Sequence, residues 1–135
     1  MNPVTFPAGR YLIGDLCYRD EYMWDAMLNT PIGKKGKVEN SYEGTVHDFC
    51  ILRTKWGDGG YDDQYGNEYF VDSGTIGIMS WNQDKKDSGT GRTFNFAGPF
   101  QVYEENGKLV FGSIIINTDP VYEEKEEYEL EETFL

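Results

Sequence analysis

The chain has 135 residues with 24 acidic and 12 basic side chains, a net charge of −12, and an apolar fraction of 39% that includes three Trp, ten Tyr and eight Phe. That length fits one domain, and the aromatic content can build its core without disulfide or metal staples. Phosphate-backbone binding needs clustered Lys and Arg, so the charge argues against nucleic acid as a direct ligand and fits either a basic partner protein or simple solubility.

The opening residues Met1-Asn2-Pro3-Val4-Thr5-Phe6-Pro7 carry no basic region followed by an apolar run, and no stretch is apolar enough for a membrane span. Cys17 and Cys50 are the only cysteines, too few for a disulfide framework, so free thiols and a cytoplasmic location are expected.

In chain order, Arg10 to Gly14 reads as a first strand. Asp20 to Leu28 reads as the single helix, capped by Asp20 and packed by Trp24, Met27 and Leu28, with Met23 also at helical spacing. Asn29-Thr30-Pro31 ends it, because the residue before Pro avoids helical angles. Gly33-Lys34-Lys35-Gly36-Lys37 reads as a basic loop that lacks the spacing of a phosphate-binding P-loop.

Thr45 to Lys55 is a strand with Phe49 and Ile51 on one face and Cys50 and Leu52 on the other, which marks it as central. Asn67 to Val71 and Thr75 to Met79 are two more strands, separated by Asp72-Ser73-Gly74. Phe100 to Ile116 is a hairpin broken by Asn106-Gly107. A type I′ turn there sets Glu105 opposite Lys108, Tyr103 opposite Val110 and Val102 opposite Phe111.

Residues 119–135 hold eight acids against Lys125, with apolar residues at even positions, and are expected to form an ordered edge strand. Helix is the competing reading there. The pattern as a whole predicts a mainly β (α+β) single domain: an antiparallel β-sandwich or partly open barrel with one short helix.

Three segments carry candidate chemistry. In Gly14-Asp15-Leu16-Cys17-Tyr18, Asp15, Cys17 and Tyr18 could form a ligand-binding turn. With His47, the only histidine, Cys17 could instead act as a nucleophile. The plainer reading is an Asp turn beside a small core cysteine. Asp58, Asp62, Asp63, Asn67 and Glu68 could supply oxygen ligands to Ca²⁺ or Mg²⁺, although their spacing is not that of an EF-hand, and turn formation explains them equally. Asp72 and Ser73 complete the set, with no base evident for Ser73. No cofactor is otherwise expected. Glu123, Glu124, Glu126 and Glu127 are the candidates for binding a basic partner.

Tyr11-Leu12-Ile13-Gly14-Asp15-Leu16-Cys17-Tyr18, then Trp24, then Gly57-Asp58-Gly59-Gly60-Tyr61, then Val71-Asp72-Ser73-Gly74-Thr75-Ile76-Gly77 together resemble a group of small bacterial and phage proteins. Their pattern is Y-x-I-G-D-P-C-Y, a Trp, G-D-G-x-Y and V-D-x-G-x-I-G. The match spans about residues 9–82, and Leu16 stands where the pattern has Pro. The resemblance implies a phage-associated cytosolic protein and brings no activity with it.

The function expected on these grounds is non-enzymatic binding of a host protein or small ligand, with interference in host defence as one form. The alternatives are a small divalent-metal-dependent hydrolase and a structural or interaction module of a virion.

Overall fold

The computed structural model describes residues 2–81 and 90–119. The edge strand expected over 119–135, apart from Asp119, and the candidates Glu123, Glu124, Glu126 and Glu127 lie outside the described residues.

The elements run β1 (Val4–Phe6), β2 (Gly9–Gly14), a one-turn 3-10 helix (Leu16–Tyr18), α1 (Glu21–Met27), β3 (Lys35–Asn40), β4 (Thr45–Arg53), β5 (Gly59–Asp62), β6 (Glu68–Val71), β7 (Thr75–Ser80), β8 (Gly91–Phe96), β9 (Phe100–Glu105), β10 (Lys108–Phe111) and β11 (Ile114–Asn117). One antiparallel sheet has the order β1-β9-β10-β11 and the other β3-β4-β7-β2-β8, while β5 and β6 form a separate hairpin. The expected mainly-β domain with one short helix is what the chain forms, as a sandwich with no closed barrel among the described residues.

Period-two alternation explains the layering. From the five-stranded sheet, Tyr11, Ile13, Cys50, Leu52, Ile76 and Ile78 face the four-stranded sheet and meet Phe6, Val102, Leu109, Phe111 and Ile116. The residues between them, Leu12, Phe49, Ile51 and Met79, face the opposite way and pack under Leu16, Met23 and Met27. The central strands are therefore apolar on both faces, as read for residues 49–52. Gly77 leaves room for this second layer, because a Cβ there would stand 2.7 Å from Leu16 Cδ1 and 3.0 Å from the Cys50 carbonyl oxygen.

Asp20 caps α1: its Oδ1 accepts from the amides of Tyr22 at 2.9 Å and Met23 at 3.3 Å. The helix packs through Met23 and Met27, with the half-buried Trp24 against the same cluster, whereas Leu28 is 54% exposed. Of the expected anchors Trp24, Met27 and Leu28, the first two pack on the sheet, and Leu28 sits one helical step, about 100°, off the buried stripe of Met23 and Met27. The basic loop expected at 33–37 is also revised. Lys35 opens β3 opposite Cys50, its Nζ donates to the Thr5 carbonyl at 3.1 Å and lies 4.6 Å from the centre of the Phe6 ring. Lys37 pairs with Asp48 at 2.7 Å.

β6 and β7 are consecutive but belong to different sheets. β6 pairs with β5, and β7 inserts between β4 and β2, so Asp72-Ser73-Gly74 is a crossing point between layers. The β9–β10 register is the expected one, with Glu105 opposite Lys108, Tyr103 opposite Val110 and Val102 opposite Phe111. Asn106 (φ 52°) and Gly107 (φ 83°) supply its two positive φ angles. A second turn at Gly112 (φ 61°) sends the chain back as β11. The outer side of β11 is covered by residues 63 and 64. Asp63 bridges to Ile116, the Gln64 side-chain oxygen accepts from the Ile115 amide at 2.9 Å, and its nitrogen donates to the Ser113 carbonyl.

Candidate functional site

At one end of the sandwich three chain segments far apart in sequence meet: 14–18, 57–61 and 71–75. Asp15 is the joint. Only 1% exposed, it follows β2 and caps the 3-10 helix, its Oδ1 accepting from the Cys17 amide at 3.0 Å. The same oxygen accepts from the Ser73 hydroxyl at 2.7 Å, and Oδ2 accepts from the amides of Asp72 at 2.7 Å and Ser73 at 2.8 Å. With Ser73 Oγ donating to Asp15, the Thr75 hydroxyl donates to Ser73 Oγ at 2.6 Å.

Thr54 ties in the middle segment. Its amide donates to the Gly74 carbonyl at 3.0 Å, and its hydroxyl lies 2.7 Å from the Gly57 carbonyl oxygen. The Tyr61 hydroxyl donates to the same Gly57 carbonyl at 2.9 Å. On the solvent side, the Tyr18 hydroxyl donates to Asp72 Oδ2 at 2.5 Å. This bond, with some burial, pushes the Tyr18 phenol up to about 12.

The chemistry of Cys17 follows from its surroundings. Burial, a hydrogen bond with Asp15 and the negative charges of Asp15, Asp72 and Asp58 push its thiol up to about 12. At neutral pH the sulfur stays protonated, and thiolate nucleophilicity is lost. His47 does not serve it. The His47 Nδ1 lies 2.6 Å from the Ser80 carbonyl oxygen and must carry the proton there. Its Nε2 then accepts from the Thr45 hydroxyl at 2.9 Å. The neighbouring Asp48 is engaged by Lys37. Cys17 and Cys50 are both free thiols.

Of the five oxygen-ligand candidates, Asp58 stands apart and the other four gather on the β5–β6 hairpin. Asp58 lies beside Gly74 at the three-segment junction. Asp63, 5% exposed, accepts from the amides of Tyr65 at 2.9 Å and Asn67 at 3.0 Å, from Asn67 Nδ2 at 3.0 Å and from the Tyr69 hydroxyl at 2.8 Å. Burial alone would raise its pKa, but these bonds together hold it below the usual carboxylate range. Asp62 and Glu68 stand opposite each other across the β5–β6 pair. Among the described residues, no three His, Cys, Asp or Glu side chains gather closely enough to hold a metal ion.

Tyr18 connects the junction to a small cleft of about 180 Å³, which Arg19 and Asp20 line from the start of the helical segment, Glu43 from the β3–β4 turn, His47 from β4, and Trp81 after β7. The Arg19 guanidinium lies 5.6 Å from the centre of the Trp81 ring and donates to the Thr90 hydroxyl at 3.0 Å. His47 faces Trp81 at 6.2 Å between ring centres.

Of the sequence candidates, Asp15, Cys17, Tyr18, Asp72 and Ser73 come together, and His47 stands apart in the cleft. Arg19, Glu43 and Trp81 had no motif to single them out, because each comes from a different segment. Comparison with known protein families, curated proteins and solved structures finds no match. No helix among the described residues is long and apolar enough to cross a membrane.

Proposed function

We propose that this is a non-enzymatic binding protein, phage-encoded as its resemblance implies, whose acidic surface engages a basic protein of the host. The observation that carries the reading is the contrast between committed polar groups and exposed aromatic ones. Asp15, His47, Asp63 and Ser73 are each held by bonds that fix the backbone or each other, and the Cys17 thiol stays protonated. Large aromatics meanwhile face solvent: Tyr22 is 70% exposed, Tyr42 76%, Tyr65 69% and Trp56 57%. Aromatic side chains are enriched at protein interfaces, and a strong net charge steers association with partners of opposite sign.

The test is purification of the tagged chain from a bacterial host in parallel with a Tyr22→Ser, Tyr42→Ser variant, followed by mass spectrometry for proteins and small molecules. A basic protein that accompanies the native chain in near-equal amount and is lost from the variant supports the reading. A chain that emerges alone at low salt refutes it. With the partner in hand, Glu123→Gln, Glu124→Gln, Glu126→Gln and Glu127→Gln together are expected to slow association and flatten its dependence on salt. An association rate indifferent to both changes removes the acidic segment from the recognition surface.

A further inference from the structure

Beyond β11 the chain is pinned to the rim of an open groove. The Thr118 amide donates to the Gly107 carbonyl at 2.8 Å, and the Thr118 hydroxyl oxygen accepts from the Lys55 amide at 3.0 Å. The Asp119 carboxylate holds the Lys55 ammonium at 3.3 Å and accepts from the Trp56 indole N–H at 3.1 Å. A Cβ on Gly107 would stand 2.9 Å from the Asp119 Cβ, so the chain passes flat against the Asn106-Gly107 turn. Lys55 and Gly107 both line the groove, which holds about 590 Å³ and is walled further by Ile32, Leu52 and Arg53.

Charge and apolar surface decide what this groove accepts. Arg53 is exposed, and its guanidinium makes no ion pair among the described residues. Lys55 is committed to Asp119. The one carboxylate of the lining, Glu104, is turned to the hairpin, where its Oε1 accepts from the Gly107 amide at 3.0 Å. Ile32, 39% exposed, adds an apolar patch. An occupant with negative charge and an aromatic or aliphatic side chain fits this lining, and a basic one meets repulsion.

The chain carries such an occupant at the rim. Residues 120–135 hold seven Glu against Lys125, a net of −6, together with Tyr122, Tyr128, Leu130 and Phe134. The four residues from Asp119 to Glu123 can span up to about 14 Å, so Tyr122, Glu123 and Glu124 stay within reach of a groove that begins at Lys55. Exposed ion pairs are each worth little, but a short tether raises the effective concentration to the millimolar range. An acidic segment of another molecule lacks that advantage and meets this chain's net charge of −12.

We infer that residues 120–127 dock in this groove in the free chain, with Glu123 and Glu124 against Arg53 and Tyr122 against the apolar patch. Asp119 on Lys55 is the first contact of that docking. The inference concerns where the acidic segment rests and stands whether or not the segment also meets a basic partner. Such a partner has to displace it from Arg53.

The experiment digests the full chain with a glutamate-specific protease and follows cleavage after Glu123 and Glu124 by mass spectrometry. Arg53→Gln should speed that cleavage about fivefold, the upper range for loss of an exposed ion pair. Lys37→Gln removes the same charge on β3 and should leave the rate within about twofold. In parallel, NMR of the isotopically labelled full chain compares the native sequence with Glu123→Gln, Glu124→Gln. The Ile32 and Asn106 amides and the Arg53 Nε–H signal are expected to move. Equal cleavage rates in the native and Arg53→Gln chains, or equal acceleration by the two Gln variants, overturn the docking. So do NMR changes confined to residues 120–135. Changes that grow with protein concentration place the segment on a second copy and overturn docking within the chain.

Discussion

Asp15→Asn tests whether the three-segment junction is held by one carboxylate. Besides its bond with the Cys17 thiol, the aspartate accepts four hydrogen bonds, two on each oxygen. The amide can keep the Asp72 and Ser73 amides on its remaining oxygen if its nitrogen takes the Oδ1 position. The Ser73 hydroxyl can turn to accept, but the Cys17 amide is then left facing an N–H₂ group. A buried donor without a partner costs about 1–3 kcal/mol. The two bonds that survive lose the ionic share of their strength, about another 1 kcal/mol. A total near 3 kcal/mol should lower the urea midpoint by about 2 M for a slope of about 1.5 kcal/mol/M. Tryptophan fluorescence during urea unfolding reads this directly. Ser73→Ala removes one neutral partner and should cost about 1 kcal/mol, with the double variant less than additive because the two share a bond. A midpoint for Asp15→Asn within about 0.3 M of the native value refutes the joint.

Four further outcomes follow from the same geometry. Asp63, held below its ordinary pKa, contributes stability that is present above the unfolded value of about 3.9 and is lost as pH falls through the lower folded value; the melting-temperature gap between native and Asp63→Asn chains should therefore be wide at pH 7 and narrow steadily as pH falls below about 3.9, and a constant gap would contradict this. A thiol reagent at about pH 8 should leave both Cys17 and Cys50 unmodified in the native chain and modify both in urea, since each thiol is pushed up to about 12; one rapid equivalent would show the Cys17 argument to be wrong. Met27→Ala should cost about 2–5 kcal/mol and Trp24→Ala less, the reverse of what residue size alone dictates. Gly77→Ala should destabilise by about 1–3 kcal/mol through overpacking against Leu16, and a neutral melting curve would show that the layer yields there.

The parts of the fold legible in the sequence are those fixed by short-range chemistry. Asn106-Gly107 can form few turns other than the one found, and it fixed the register of β9 on β10. The double-faced apolar run 49–52 announced a central strand, and Asp20 its helix cap. What was illegible depends on partners far along the chain. Gly33 to Lys37 reads as polar loop until Cys50, Phe49 and Asp48 stand opposite Lys35, Gly36 and Lys37. β8 alternates Thr93 and Asn95 with Phe94 and Phe96, and only its pairing with β2 makes it a strand. At the site, Asp15, Asp72 and Ser73 were each visible as turn residues, but the carboxylate that binds 15 to 72–73 is a tertiary fact. The cleft was invisible because Arg19, Glu43 and Trp81 share no spacing rule.

The pairing of the first strand with the ninth bears on how the protein is made. Val4 lies opposite Val102, 98 positions further along the chain. At synthesis rates of about 5–20 residues per second, β1 waits roughly 5–20 s after leaving the ribosome before its partner exists. The five-stranded sheet waits too, because its edge strand β8 ends at Phe96. Closing so long a loop is slow, as for other chains dominated by distant contacts. Neither sheet can therefore be completed until β8 and β9 have been made, and the apolar strands β4 and β7 are open to chaperones in the interval.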